Sequence, residues 1–383
     1  MQMQFGKYSK LLSAAAVVML AGVSRADVIW SVQASFSTST TPDSVRGIAL
    51  SPGGSQEYLG FIQSPTSTSA IDEYTSGIIS GTHQPGSSAN LNGATASISG
   101  GGQPKGVAVD DRGNVYATLN SGANSQSQSF GVFNNTLTSE LGSAAVSLTK
   151  GGTATASQIG GIAVQNAGGG KYFAYVTSNK GTSDIERFDV SDPAHPVLDT
   201  TFANHGTLDL STIPSLTANG NPAVNGLEVT PDGTIYATAA VANPNVNRGD
   251  TVLKITNVTS SGATVASAAV PQALDLTLFG GDVYVAEYNG GSSAVAILSA
   301  ADLSSLGTLS TAPINIGTTA AGSDDGFAGI TVDSAGHLFI TDEAFSSVGG
   351  VQDQVLVSSP VPEPASLGLL SLGGIGLLRR RRK

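Results

Sequence analysis

The stretch NGLEVTPDGTIYATA, Asn225 to Ala239, reads as two short strands around a tight turn. Leu227 and Val229 flank Glu228 in strand alternation, Asp232-Gly233 supplies the positive φ of a hairpin, and an apolar run of strand length follows from Ile235. The plan recurs in RGIALSPGGSQEYLGFI (Arg46–Ile62), KGVAVDDRGNVYATL (Lys105–Leu119), GGIAVQNAGGGKYFAYVTS (Gly160–Ser178), ALDLTLFGGDVYVAEY (Ala273–Tyr288) and AGITVDSAGHLFITDE (Ala328–Glu343). Anchored on the residue before the first apolar position, the copies start at Gly47, Gly106, Gly161, Gly226, Ala273 and Gly329, spaced 59, 55, 65, 47 and 56 residues apart.

Behind each hairpin after the first comes a further strand: SFGVFN, DIERFDV, TVLKITNV, AVAILSA and QVLVSS. Three or four strands at this period make one blade, so the sequence predicts an all-β chain folded as a six-bladed β-propeller. Seven blades and a parallel β-helix are the alternatives; the first is left open by the 65-residue spacing, the second by the Gly/Ser/Thr-rich composition. The segments following the six anchors are expected to line the central channel. The last blade lacks a strand of its own, and DVIWSVQASF stands alone near the N-terminus. An open ring would expose strand edges, so Val28–Phe36 is expected to complete the sixth blade, with Trp30 in the core. Tyr116, Tyr175, Tyr236, Tyr284 and Phe339 share one register of the second strands and are expected to pack between blades.

The two ends of the chain carry addresses. Lys7 and Lys10 precede the apolar run Leu11–Val23, and Ser24-Arg25-Ala26 places small residues before a cleavage point between Ala26 and Asp27, the layout of a secretory signal peptide. At the other end stands VPEPASLGLLSLGGIGLLRRRRK, Val361–Lys383. Its apolar part, Ala365–Leu378, spans only about 21 Å as a helix, short for a hydrocarbon core near 30 Å. Arg379, Arg380, Arg381, Arg382 and Lys383 oppose translocation and act as a stop. Three domains are expected: residues 1–26 a signal peptide, 27–359 the propeller, and 360–383 a sorting signal with a short transmembrane helix.

Pro362-Glu363-Pro364, followed by an apolar helix and a terminal Arg cluster, closely resembles the PEP-CTERM sorting signal of bacterial envelope proteins. The resemblance implies recognition by an exosortase-type processing enzyme, co-occurrence with exopolysaccharide production, and a body exported to the envelope or medium after temporary anchoring in the inner membrane. YVTSNKGTSDIERFDVSDPAHPVL, Tyr175–Leu198, resembles the LVIVD propeller repeat, and the hairpins resemble the NHL and gluconolactonase-like propellers.

Composition narrows the chemistry. The 17 Lys and Arg face 28 Asp and Glu, and both ends are basic, so the body carries a net charge near −18 and nucleic acid is a poor partner. With no cysteine, thiol catalysis, thiolate metal sites and disulfides are all excluded. His83, His195, His205 and His337 are dispersed without metal-ligand spacing and are expected on surface loops. Three residues beyond the aromatic register stand Glu287 and Asp342, equivalent positions of the fifth and sixth copies. Asn225-Gly226-Leu227 resembles the gluconolactonase-family segment whose Asn ligates a metal, which makes Asn225, Glu287 and Asp342 the candidate metal ligands and Ca²⁺ the implied cofactor. The family's acidic ligand near the first blade has no counterpart in RGIALSPGG. No catalytic set is evident. The sequence therefore points to a non-enzymatic propeller scaffold binding polysaccharide or protein, with a Ca²⁺-dependent lactonase-like hydrolase or lyase as the alternative.

Overall fold

The computed structural model describes residues 28–36, 44–62, 70–75, 91–97, 105–119, 128–146, 149–150, 153–154, 159–178, 184–217, 223–240, 249–260, 262–288, 294–310, 326–343 and 353–361. Every strand pairing among them is antiparallel, which removes the parallel β-helix and leaves the propeller arrangement.

Five sheets are regular four-stranded blades, one fewer than the sequence predicts. The first comprises Ser44–Leu50, Gln56–Ile62, Ala70–Thr75 and Leu91–Ser97. The second comprises Val107–Val109, Val115–Leu119, Gln128–Phe133 and Glu140–Val146. The fourth is built from Ala223–Val229, Ile235–Ala240, Thr251–Thr259 and Gly262–Ala269, and the fifth from Ala273–Phe279, Asp282–Glu287, Ala294–Ser299 and Ser305–Ser310. In the last, Gly326–Val332, Leu338–Glu343 and Asp353–Ser358 are joined by the N-terminal strand Trp30–Phe36, which pairs with Asp353–Ser358 as expected.

The third sheet departs from the plan. Ile159–Gly168, Lys171–Ser178 and Asp184–Asp189 are followed by two short strands, Val197–Leu198 and Thr207–Asp209, both paired with Asp184–Asp189. Between them Arg187 grips Asp199 at 2.6 Å and lies over the rings of Phe173 and Phe202. The long 65-residue spacing is thus spent on a divided outer strand and two 3-10 turns, Leu210–Thr212 and Pro214–Leu216, which bury Leu210 and Leu216. Among the described residues no separate blade stands there.

The six sheets form a closed ring, since the first strand of each touches the first strand of the next and that of the last returns to the first. Each seam holds its own apolar cluster. The aromatic register fills these seams: Tyr58, Tyr116, Tyr175, Tyr236, Tyr284 and Phe339 are all buried, and the hydroxyl of Tyr58 donates to Asn135 O of the next sheet at 2.7 Å. Full burial of one large side chain contributes about 1.5–3 kcal/mol, so the register is a principal source of cohesion.

The two ends of the barrel differ. Hairpins at Ser51–Ser55, Asp110–Asn114, Thr230–Thr234, Gly280–Gly281 and Asp333–His337 all turn on one face, where Gly113, Gly233, Gly281 and Gly336 adopt the positive φ the turns need. On the opposite face the second strands end and the third begin. Both ends of the described body lie on the hairpin face: Ser359 N donates to Ile29 O at 2.6 Å, and Val361 N donates to Gly336 O at 2.8 Å. Val361 is buried in the fifth–sixth seam, where Val28 and Trp30 pack beside it. Trp30, expected in the core, is partly buried and packs against that cluster from its edge. Residues 1–27 and 362–383 lie outside the described set, and with them the signal peptide, Ala26 and Asp27, the Pro362-Glu363-Pro364 triplet and the Arg379–Lys383 block. Among the described residues no helix is long and apolar enough to cross a membrane.

Candidate functional site

The first strands of the six sheets line an axial channel with a cavity of about 320 Å³, in accord with the expectation from the anchors. The sheets approach so closely that none of the anchor glycines has room for a Cβ. A Cβ on Gly161 would lie 2.6 Å from Asn225 O and 3.1 Å from Gly226 Cα; one on Gly226 would lie 2.7 Å from Asp275 Cα. Each anchor glycine therefore packs on the same position of the next sheet, and in the fifth sheet that position is Asp275. The sequence reading anchored this sheet on Ala273, two residues early. The same register irregularity precedes the anchor in the first and sixth sheets, and in the fifth the residue that follows it is Asp275, so that a carboxyl stands where the other sheets have glycine.

Polar clasps join the sheets just behind the glycines. Thr177 Oγ1 accepts from Gly161 N at 2.8 Å and donates to Asn225 O of the next sheet at 2.9 Å. Thr118 does the same between Gly106 N and Gly160 O, Thr238 between Gly226 N and Leu274 O, and Thr341 between Gly329 N and Arg46 O of the first sheet. All four threonines are buried. They follow the aromatic register by two residues, a repeated aromatic-x-Thr pattern that was present in the sequence and not used. In the fifth sheet that place is Ala286, and the link to the sixth is made by Asp275, whose Oδ2 accepts from Ile330 N at 3.1 Å.

Four charged residues line the channel: Arg46, Lys105, Glu228 and Asp275. Burial pushes the Glu228 carboxyl up to about 8, and neighbouring Asp275 adds to the shift. Asp275 is itself raised to about 7 by burial, against the pull of the Ile330 and Leu276 N–H groups. Both side chains touch the cavity and are only half-buried by surface, yet protein surrounds them on every side, and this enclosure desolvates them. Neutral forms are favoured at pH 7 for Glu228.

Of the three candidate ligands, Asn225 lines this channel. It is 4% exposed, and neither Oδ1 nor Nδ2 has a hydrogen-bond partner. Glu287 is half-buried opposite Ala273, with its carboxyl raised by burial, and buried Asp342 stands opposite Phe327. Neither belongs to the channel wall. Among the described residues no three His, Cys, Asp or Glu side chains are grouped so as to hold a metal. His195 and His205 are exposed, His337 sits in a hairpin 2.7 Å from Asp333, and His83 is outside the described residues. Glu228 and Asp275 were missed: single strands show alternation, but which residue faces the axis depends on the bulge.

Comparison with known proteins adds an address and a fold. Residues 360–383 match the family model described as the PEP-CTERM protein-sorting motif, which implies an exported protein destined for the cell envelope and exosortase-type processing. Pro360 and Val361 thus belong both to the motif and to the packed body. No curated protein sequence matches the chain. A protein of unknown function from Dyadobacter fermentans superposes with a TM-score of 0.56 at 11% identity, covering 88% of this chain and 98% of that one. The PQQ-bound aldose sugar dehydrogenase from Streptomyces coelicolor gives a TM-score of 0.50 at 14% identity, covering 88% and 99%. At such identities the likeness concerns the fold alone.

Proposed function

We propose that the chain is an envelope-displayed binding scaffold that presents the face opposite its hairpins to a polysaccharide or protein partner. One observation carries this reading. Ile29, Ser359 and Val361 all sit on the hairpin face, and the sorting motif continues directly from there, so a body held by its tail turns the other face outward. The strand ends on that face are joined by polar, Ser/Thr/Asn/Gly-rich connections, suited to hydroxyl-rich or peptide surfaces.

The apolar segment Ala365–Leu378 is short for lasting retention and serves as a temporary hold, with cleavage near Pro362-Glu363-Pro364. A glycan array and a pull-down from envelope extract, both with protein recovered from its native envelope, test the scaffold reading. Saturable retention of one glycan class or one partner supports it; steady turnover of a lactone or glycan moves the chain to the enzyme class. The rival Ca²⁺-dependent hydrolase is supported by Asn225 in the channel, and calorimetry with Ca²⁺ alone separates the two.

A further inference from the structure

Sheets one and two stand across the ring from sheets four and five, which gives the channel two unlike walls. Arg46 and Lys105 lie on one side; Asn225, Glu228 and Asp275 lie on the other. Arg46, Lys105 and Asn225 each directly precede an anchor glycine, so they share one level at the end away from the hairpins, with Asp275 one residue and Glu228 three residues further along their strands. The opposite charges do not neutralise one another. The environment of Glu228 is set by burial and by Asp275, that of Asp275 by burial and backbone N–H groups, with no basic side chain contributing to either. Space separates the walls.

Within that space Asn225 offers a buried amide with both polar atoms unsatisfied. Such a group is costly to leave unpaired, and its counterparts in neighbouring sheets are Gly160, Leu274 and Ala328, which carry no polar side chain. A carboxyl pair that lacks a counter-ion and an amide oxygen that lacks a donor have one need in common: a multivalent N–H donor bearing positive charge. A negative group at the other end of the same molecule would meet Arg46 and Lys105. The cavity of about 320 Å³ holds a small organic molecule.

We propose that the channel binds a small zwitterion, its ammonium group held by Asn225, Glu228 and Asp275 and its carboxylate turned toward Arg46 and Lys105. This site goes beyond the scaffold reading and does not depend on it, so an empty glycan array leaves it standing. The test is calorimetry on the full chain at pH 8, where the carboxyls carry more of their charge, with glycine, β-alanine, 4-aminobutanoate and 6-aminohexanoate as probes. Hexylamine and hexanoate serve as one-ended controls.

At least one zwitterion should bind saturably and tenfold or more tighter than either control. Glu228→Gln should weaken it at least tenfold while folding normally, since the native carboxyl is already largely protonated at neutral pH. Asn225→Ala is the second variant; it removes the amide and keeps the backbone carbonyl that Thr177 clasps, and it too should weaken binding. Lys105→Met should reduce the zwitterion to the affinity of hexylamine. Absence of binding by all four probes, equal binding of hexylamine and the zwitterion in the unaltered protein, or Ca²⁺ binding lost in the same variants without zwitterion binding, would each overturn the proposal.

Discussion

Glu57 offers a test of how the ring is held closed. It lies in the second strand of the first sheet, two residues before Leu59, and strand alternation turns both toward the last sheet, where Leu59 packs with Phe339, Val355 and Val357. Glu57 is 2% exposed, its Oε1 has no hydrogen-bond partner, and burial pushes its carboxyl up to about 8. In the unfolded chain the group titrates near 4.5. Between these values the folded protein keeps a proton that the unfolded chain has released, so stability is full below about pH 4.5 and falls as pH rises toward 8. At about 1.4 kcal/mol per pH unit the loss reaches about 3 kcal/mol at pH 7. Glu57→Gln keeps the shape and deletes the titration. Urea unfolding at pH 5, 6, 7 and 8, followed by the fluorescence of the single tryptophan, Trp30, in the closing strand, should show the variant gaining on the parent by that increment per unit. Glu228 and Asp275 titrate on the far side of the ring and cancel in the difference. Parallel pH profiles for the two proteins would refute the reasoning.

The clasps should be costly to break: Thr177→Val leaves Gly161 N–H and Asn225 C=O unpaired in a buried seam, an expected loss on the order of 2–4 kcal/mol by denaturant titration, whereas an effect under half of that would mean water replaces the hydroxyl. At the hairpin face, Val361→Ala should cost about 2 kcal/mol, while deletion of Pro362 to Lys383 should leave the thermal midpoint unchanged; a destabilised deletion would show that the tail packs on the body. Intact mass of protein from the native envelope should correspond to a chain starting at Asp27 and lacking Arg379–Lys383. Recovery of the full C-terminus would make the tail a permanent anchor.

Local pattern was enough for the hairpins, the aromatic register and the closing strand, because alternation, positive-φ turns and an unpaired strand at each end are properties of short stretches. It was also enough for the sorting tail, whose signal is linear by nature. The divided outer strand of the third sheet was not legible, since Val197–Leu198 and Thr207–Asp209 acquire strand character only by pairing with Asp184–Asp189. The position of Asp275 was hidden for a related reason: the fifth sheet has no anchor glycine to mark it in the sequence, and only the close approach of Gly226 to the fifth sheet reveals it. Glu287 and Asp342 show the converse. Their shared register was correct, yet a register fixes a place along a strand and not the distance to the channel, which depends on which strand of the sheet is innermost. Charge on the sequence was a single sum; folding around a ring separated it into a basic wall and an acidic one, and that separation exists only in three dimensions.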